Sequence, residues 1–155
     1  MDEFVDELRL QFPDITFTPA DTFKWSYMSR EVFFISNTHQ EQAFWSLLHE
    51  VGHALLEHRR YESDMQLLQM EVAAWQRGKE LGKSYNIGIS DDYSEDCLDT
   101  YRDWIYKRST CPVCSLQGIQ KASNRYVCLN CNETWVVTLE RLCRPYRRSE
   151  IKKTP

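Results

Sequence analysis

The chain of 155 residues has no apolar run close to the ~20 residues that a membrane-crossing helix requires, which excludes a helical span. The stretch MDEFVDELRLQF is acidic and amphipathic and does not read as a signal or transit peptide, so the cytoplasm is the expected compartment. Internal repeats and low-complexity tracts are absent too, which excludes a repeat array. Histidine is scarce. Of the four, His39, His49, His53 and His58, three fall within the stretch LLHEVGHALLEH, Leu47 to His58.

What is present fits an ordinary soluble globular protein, with 42% hydrophobic and 27% charged residues and length for one sizeable core plus a small appendage. The formal net charge of -4 conceals a polarity. Residues 1–104 carry 9 Lys or Arg against 20 Asp or Glu, whereas residues 105–155 carry 10 against 3. An acidic body with a basic end implies two parts facing different partners.

Apolar spacing predicts a helix over residues 2–12, then short strands at 15–17, 22–27 and 31–36. The run Val32-Phe33-Phe34-Ile35 is apolar in both registers, so that strand is expected to be covered on one face and partly on the other. Three capping signals predict helices from Thr38 to about His58, from Ser63 to about Gly82, and from Asp92 to a boundary at residues 107–110.

In the first of these helices His49 and His53 lie one turn apart on one face, a spacing at which two imidazoles can hold one metal ion. Glu50 is too close in sequence to be a third ligand, but it can take a proton from a water at the metal. That division into two ligands and a base is the physical content of H-E-x-x-H. Burying two imidazoles and a carboxylate unpaired in an apolar helix would be costly, which favours a metal over chance. Gly52 allows another chain segment or a substrate to approach the helix closely.

A catalytic zinc needs a third protein ligand. His58 falls about half a turn off the histidine face and reads as a solvated helix end, while Glu57 lies about 12 Å along the axis from His49. The better candidate is Glu71 in QMEVAAWQRG, on a face with Leu67, Ala74, Trp75 and Gly78, whose small residues let two helices approach.

With LLHEVGHALL followed by MEVAAW and preceded by EVFFIS, residues 15–82 resemble the ImmA/IrrE zinc metallopeptidases. The resemblance implies a compact α+β zincin, with His49, His53 and Glu71 as ligands and Glu50 as base. It also implies proteolysis of regulatory proteins such as repressors inside the cell. The helix-turn-helix attached to many members is not evident. SprT-like proteins are similar in architecture only: they join an H-E-x-x-H domain to a C-terminal zinc ribbon and act near DNA, with a histidine as third ligand.

Cys111-Pro-Val-Cys114 and Cys128-Leu-Asn-Cys131, thirteen residues apart, read as the two knuckles of a zinc ribbon with its hairpin turn near residues 122–124. Four thiolates close the coordination sphere, so this zinc is structural, and so small a ribbon depends on it for folding energy. Cys97 and Cys143 each read as a small buried hydrophobe or an inert thiol. Arg125, Tyr126 and Trp135 either present a basic, aromatic nucleic-acid surface or divide into ribbon core and solvated charge. Arg141, Arg144, Arg147, Arg148, Lys152 and Lys153 crowd the end of the chain, where they either recruit nucleic acid or lie across the acidic body.

The expected organisation is a zincin-like metallopeptidase domain over 1–107, with a small antiparallel or mixed sheet, a β zinc ribbon over 108–138, and a basic tail over 139–155. The expected function is a zinc-dependent endopeptidase with two zinc ions per chain, acting on a protein or peptide substrate and not on a membrane. A SprT-like DNA-associated protease and a non-catalytic interaction module are the alternatives. The Glu31 to Ser36 strand is expected to hold an extended substrate by edge pairing, and Tyr61 or Tyr101 to stabilise the oxyanion.

Overall fold

The computed structural model describes residues 1–138 and 147–149. The chain divides into two compact units, Met1–Arg60 with Gln69–Ser94, and Tyr61–Leu68 with Glu95–Pro155.

The first unit opens with α1 (Asp2–Gln11), which buries Val5 and Leu8. Three strands follow: β1 (Thr16–Pro19), β2 (Lys24–Ser26) and β3 (Glu31–Phe34). Their order is β1-β3-β2, with β1 parallel and β2 antiparallel to β3. Along β3, Val32 and Phe34 are buried while Glu31 and Phe33 are partly covered, as the apolar run in both registers leads one to expect. One expectation fails here. Both edges of β3 are already paired, so it cannot take a substrate at its edge; β2 is an outer strand instead.

Next comes α2 (Glu41–Leu55), which carries the H-E-x-x-H motif. It begins later than the capping box at Thr38 predicts. Gln40 is the N-cap and makes no side-chain cap, because the Thr38 hydroxyl accepts the Gln40 N–H at 3.3 Å, outside the helix. With Val5, Leu8, Phe17, Val32 and Phe34, the α2 residues Leu47, Leu48, Val51 and Ala54 form the core of this unit.

Helix α3 (Asp64–Ser84) runs from the second unit into the first. Its Ser63 cap forms, with the Gln66 N–H donating to Ser63 Oγ at 3.1 Å, while the Gln66 side chain reaches back to Glu62 rather than Ser63. Within the first unit α3 lies backbone-close to α2. A Cβ on Gly52 would stand 2.4 Å from the Ala74 carbonyl oxygen, and one on Gly78 would stand 3.0 Å from that of Leu48. That contact sets Glu71 against the histidine face, with Ala74, Trp75 and Gly78 buried as expected. Helix α4 (Asp91–Ser109) starts one residue before Asp92, capped by Ser90, whose Oγ accepts the Tyr93 N–H at 3.3 Å.

The second unit holds an antiparallel sheet, β4 (Ile119–Ala122), β5 (Arg125–Val127), β6 (Thr134–Val137) and β7 (Arg147–Ser149), in that order. Arg147–Ser149, read from sequence as part of a basic tail, are its fourth strand. The core is Cys111, Tyr126, Cys128, Trp135 and Val137, with the Tyr126 and Trp135 rings stacked at 5.7 Å. Beside it lies a buried ion pair, Arg108 Nε to Asp64 Oδ2 at 2.7 Å, with Arg108 1% and Asp64 2% exposed. Tyr126 also donates to Asp64, Arg108 donates to the Ser123 carbonyl, and the Trp135 indole N–H donates to the Arg108 carbonyl. These bonds anchor the ribbon to the two helix segments of its own unit.

Candidate metal centres

The cluster in the first unit is built from one helix face and one opposing residue. His49 Nε2 and His53 Nε2 are 3.1 Å apart, and Glu71 Oε2 lies 3.2 Å from the first and 3.5 Å from the second. All three residues are buried, at 7%, 8% and 7% exposure. Hydrogen bonding alone does not account for this triangle. Each neutral imidazole has one N–H, so if both donate to Glu71 the two Nε2–H groups confront each other at the third edge. A common centre does account for it. Four ligands about 2.0 Å from a tetrahedral zinc stand about 3.3 Å from one another, close to the three edges observed here. The donor set and spacing can therefore hold a metal ion.

The surroundings fix the ligands. Burial works against charge on Glu71, but hydrogen bonds from His49 and His53 outweigh it and hold the carboxyl well below the usual range. Trp75 stacks on the His49 ring at 4.2 Å, and Tyr93 meets Trp75 edge-on. His58 is not the solvated helix end expected from sequence. Its Nδ1 lies 2.8 Å from His53 Nδ1, and burial, reinforced by the charge of His53, pushes its pKa down to about 4. A neutral His58 can accept the His53 Nδ1–H, which leaves His53 Nε2 for the metal. The backbone brings this about: after α2 ends, Glu57 adopts φ 51° and the His58 N–H donates to the His53 carbonyl at 3.0 Å, folding the chain back. Counting ideal helical positions missed it because His58 lies beyond the helix.

Glu50 stands outside the triangle, and its Oε2 accepts the Trp25 N–H at 2.7 Å. Trp25 lies on β2, an outer strand of the sheet, opposite Val32 of β3. Glu57 is exposed and paired with Arg30, so it is no ligand. Tyr61, 40% exposed, and Tyr101 belong to the second unit.

The four thiols of the ribbon form the other cluster. Cys111 Sγ lies 3.6 Å from Cys131 Sγ, and Cys114 Sγ lies 3.4 Å from Cys128 Sγ. Sulfurs about 2.3 Å from a tetrahedral zinc are about 3.8 Å apart, so this set also can hold a metal ion. The two knuckles repeat one another. Cys111 N–H donates to the Leu116 carbonyl and Cys128 N–H to that of Glu133, both at 2.8 Å. Ser115 N–H donates to Cys111 and Asn132 N–H to Cys128, both at 3.0 Å, with φ at 62° and 60°.

No protein family, curated protein or solved structure matches the chain.

Without a cation Cys114 and Cys131 are pushed in opposite directions. The N–H of Leu116 favours thiolate at Cys114 and brings it down to about 6. The N–H of Glu133 acts likewise on Cys131, yet burial and the three neighbouring thiols outweigh it and push that group up to about 12. One divalent ion would resolve the conflict by making every sulfur a ligand. Cys97 is partly buried and lies outside the four-thiol cluster. Tyr126 and Trp135, at 2% and 0% exposure, are ribbon core, which removes the aromatic nucleic-acid surface. Arg125, Arg147 and Arg148 are exposed, and Arg147 donates to the Thr110 carbonyl at 2.9 Å. Arg141, Arg144, Cys143, Lys152 and Lys153 lie outside the described residues.

Proposed function

We propose that the chain is a zinc-dependent endopeptidase, with His49, His53 and Glu71 as metal ligands and Glu50 as general base. The observation that carries this reading is the triangle of three ligand atoms at 3.1–3.5 Å, with a carboxylate next to it in sequence and outside it in space. A zinc ion held there supplies a Lewis acid that polarises a scissile carbonyl and acidifies water. The chain's own groups do the rest. Trp25 N–H fixes one oxygen of Glu50, leaving the other to accept the proton of the attacking water. His58 orients His53, and the buried wall of Trp75 keeps bulk water off His49.

The substrate class, a regulatory protein such as a repressor, rests on the resemblance of residues 15–82 to the ImmA/IrrE peptidases. The ribbon serves as a structural zinc module. Recruitment of nucleic acid through it rests on charge alone, from exposed Arg125, Arg147 and Arg148.

The test is a pair of variants. Glu50→Gln should retain two zinc ions per chain and lose cleavage by roughly a thousandfold, because glutamine cannot accept the proton. Glu71→Ala should lose one of the two zinc ions, measured by elemental analysis. New protein N-termini in cells expressing the wild type, compared with Glu50→Gln, would identify the substrate. Cleavage that survives Glu50→Gln would refute the assignment of the base.

A further inference from the structure

Trp25 connects the histidine cluster to a second feature of the same unit. Its backbone N–H donates to Glu50 at 2.7 Å, and its indole N–H donates to the His58 carbonyl at 2.9 Å. Its side chain also lines an open pocket of about 350 Å³, together with Tyr27, Met28, Arg30, Glu57 and Arg59. A pocket of that size takes one or two side chains of a ligand. Trp25 is thus common to the pocket and to the carboxylate assigned as base.

The lining states what it would take. The indole, the phenol and the thioether offer apolar, polarisable walls suited to an aromatic ring. Two guanidiniums face one carboxylate, Glu57, so the charged groups of the lining leave one positive charge in excess. Arg30 spends part of its capacity on Glu57 and on the Asp14 carbonyl, both at 3.4 Å. Arg59 is exposed and makes no hydrogen bond or ion pair among the described residues.

The charges of residues 1–60 agree with that. This stretch has ten acidic residues and five basic ones, Arg9, Lys24, Arg30, Arg59 and Arg60. Four of the five sit in β2, in the turn before β3, or just past the end of α2, the segments that form the pocket. Of these, Arg30 and Arg59 line the pocket against the single carboxylate of Glu57, a balance that favours an anionic segment over a basic one.

We propose that this pocket is a substrate subsite that takes an aromatic side chain flanked by carboxylates, so that acidic–aromatic segments are selected beside the bond to be cut. The proposal rests on the peptidase reading, which supplies the cut. Arg30 and Arg59 are its specificity-determining residues, and Trp25 is the wall shared with the site.

Binding and cleavage are tested separately. Full-length, zinc-loaded Glu50→Gln protein is titrated into two fluorescein-labelled octapeptides, centred on Glu-Phe-Glu or Lys-Phe-Lys, with anisotropy as readout. The acidic peptide should bind roughly tenfold more tightly, as expected of two exposed charge pairs. Adding Arg30→Glu and Arg59→Glu should reverse the preference, and Arg59→Glu alone, at a residue without a described partner, should at least halve it. Wild-type digestion of a random peptide library should then show acidic residues enriched at a fixed distance from the cut. Equal affinities, no binding of either peptide at millimolar concentration, or a preference unmoved by the charge reversals would overturn the subsite. Cleavage without acidic enrichment would also overturn it, while leaving the peptidase reading intact. An acidic preference that the reversals abolish, in a protein that cuts nothing, would support the pocket and overturn the peptidase.

Discussion

The four thiols of the ribbon come from two short turns that repeat one another bond for bond, whereas the His–Glu triangle depends on two helices lying backbone to backbone. In each knuckle the residues that could hold a metal also make the hydrogen bonds that shape the turn, within six consecutive positions. In the triangle, Glu71 lies eighteen residues from His53, and its place depends on Gly52, Ala74 and Gly78 far more than on its own neighbours. A local site of this kind has little apolar core of its own. The other is set on a core of Val5, Leu8, Phe17, Leu47, Leu48 and Val51, none of which is itself a candidate metal ligand. One centre is therefore expected to be required for folding, and the other to be carried by a fold that stands without it.

Metal removal should separate the two most strongly. A three-ligand site with a position open to solvent releases zinc before a closed four-thiolate one, so mild chelation should take about one equivalent first. The first unit should then keep its helices, read by far-ultraviolet circular dichroism. Stronger chelation should unfold the ribbon outright, since a structural zinc held there would supply folding free energy on the scale of zinc-finger peptides, about 10–16 kcal/mol. Release of both ions in one step, or a ribbon that keeps its Tyr126–Trp135 stack without metal, would remove the contrast.

A smaller effect should come from Gly52→Ala. The added methyl would stand 2.4 Å from a backbone oxygen that no rotamer can move, so α2 and α3 must separate. Overpacking of this kind costs about 1–3 kcal/mol. Because Glu71 lies one turn before Ala74 on α3, the same separation should weaken zinc at the triangle by roughly ten- to a hundredfold. The ribbon zinc should be unchanged. Titration of the two sites with a zinc indicator checks both halves, and an unaltered affinity at the triangle would show that the helix contact does not set it.

How much of each centre could be read from sequence follows the same division. The knuckles are spelled out by C-x-x-C because their geometry is local, although the left-handed turns at Ser115 and Asn132 carry no glycine to announce them. His49 and His53 were legible from helical spacing, and Glu71 from the need for a third ligand on an apolar face. Strand order was not. The run Glu31–Ile35 shows its burial pattern but not that β3 is central, which depends on a parallel pairing with β1 across the intervening β2. The Asp64–Arg108–Tyr126 network was hidden too, because its members are 44 and 62 residues apart and each reads alone as an ordinary surface or core residue. His58 was misread for a physical reason: the turn at Glu57 brings it back onto His53, and helical periodicity says nothing past the last helical residue.

That return of His58 leads to the smallest of the expected effects. The group is half-buried and its pKa is pushed from 6.5 to about 4, first by burial and then by the charge of His53, so the folded state favours the neutral ring. Between those two values the unfolded chain binds a proton at this position that the folded chain does not. Stability from this group is therefore complete above about pH 6.5, falls as the pH drops, and is gone below about 4. Partial exposure screens the effect, leaving on the order of 1 kcal/mol. His58→Gln, which can still present an oxygen to His53 but does not titrate, should lose that slope. The measurement is the difference in urea midpoint between wild type and His58→Gln from pH 7 to pH 4, in zinc-free protein so that metal release does not contribute. The wild type should lose stability relative to the variant on the way down. Parallel curves over the whole range would mean that the contact between the two rings does not depend on a neutral His58.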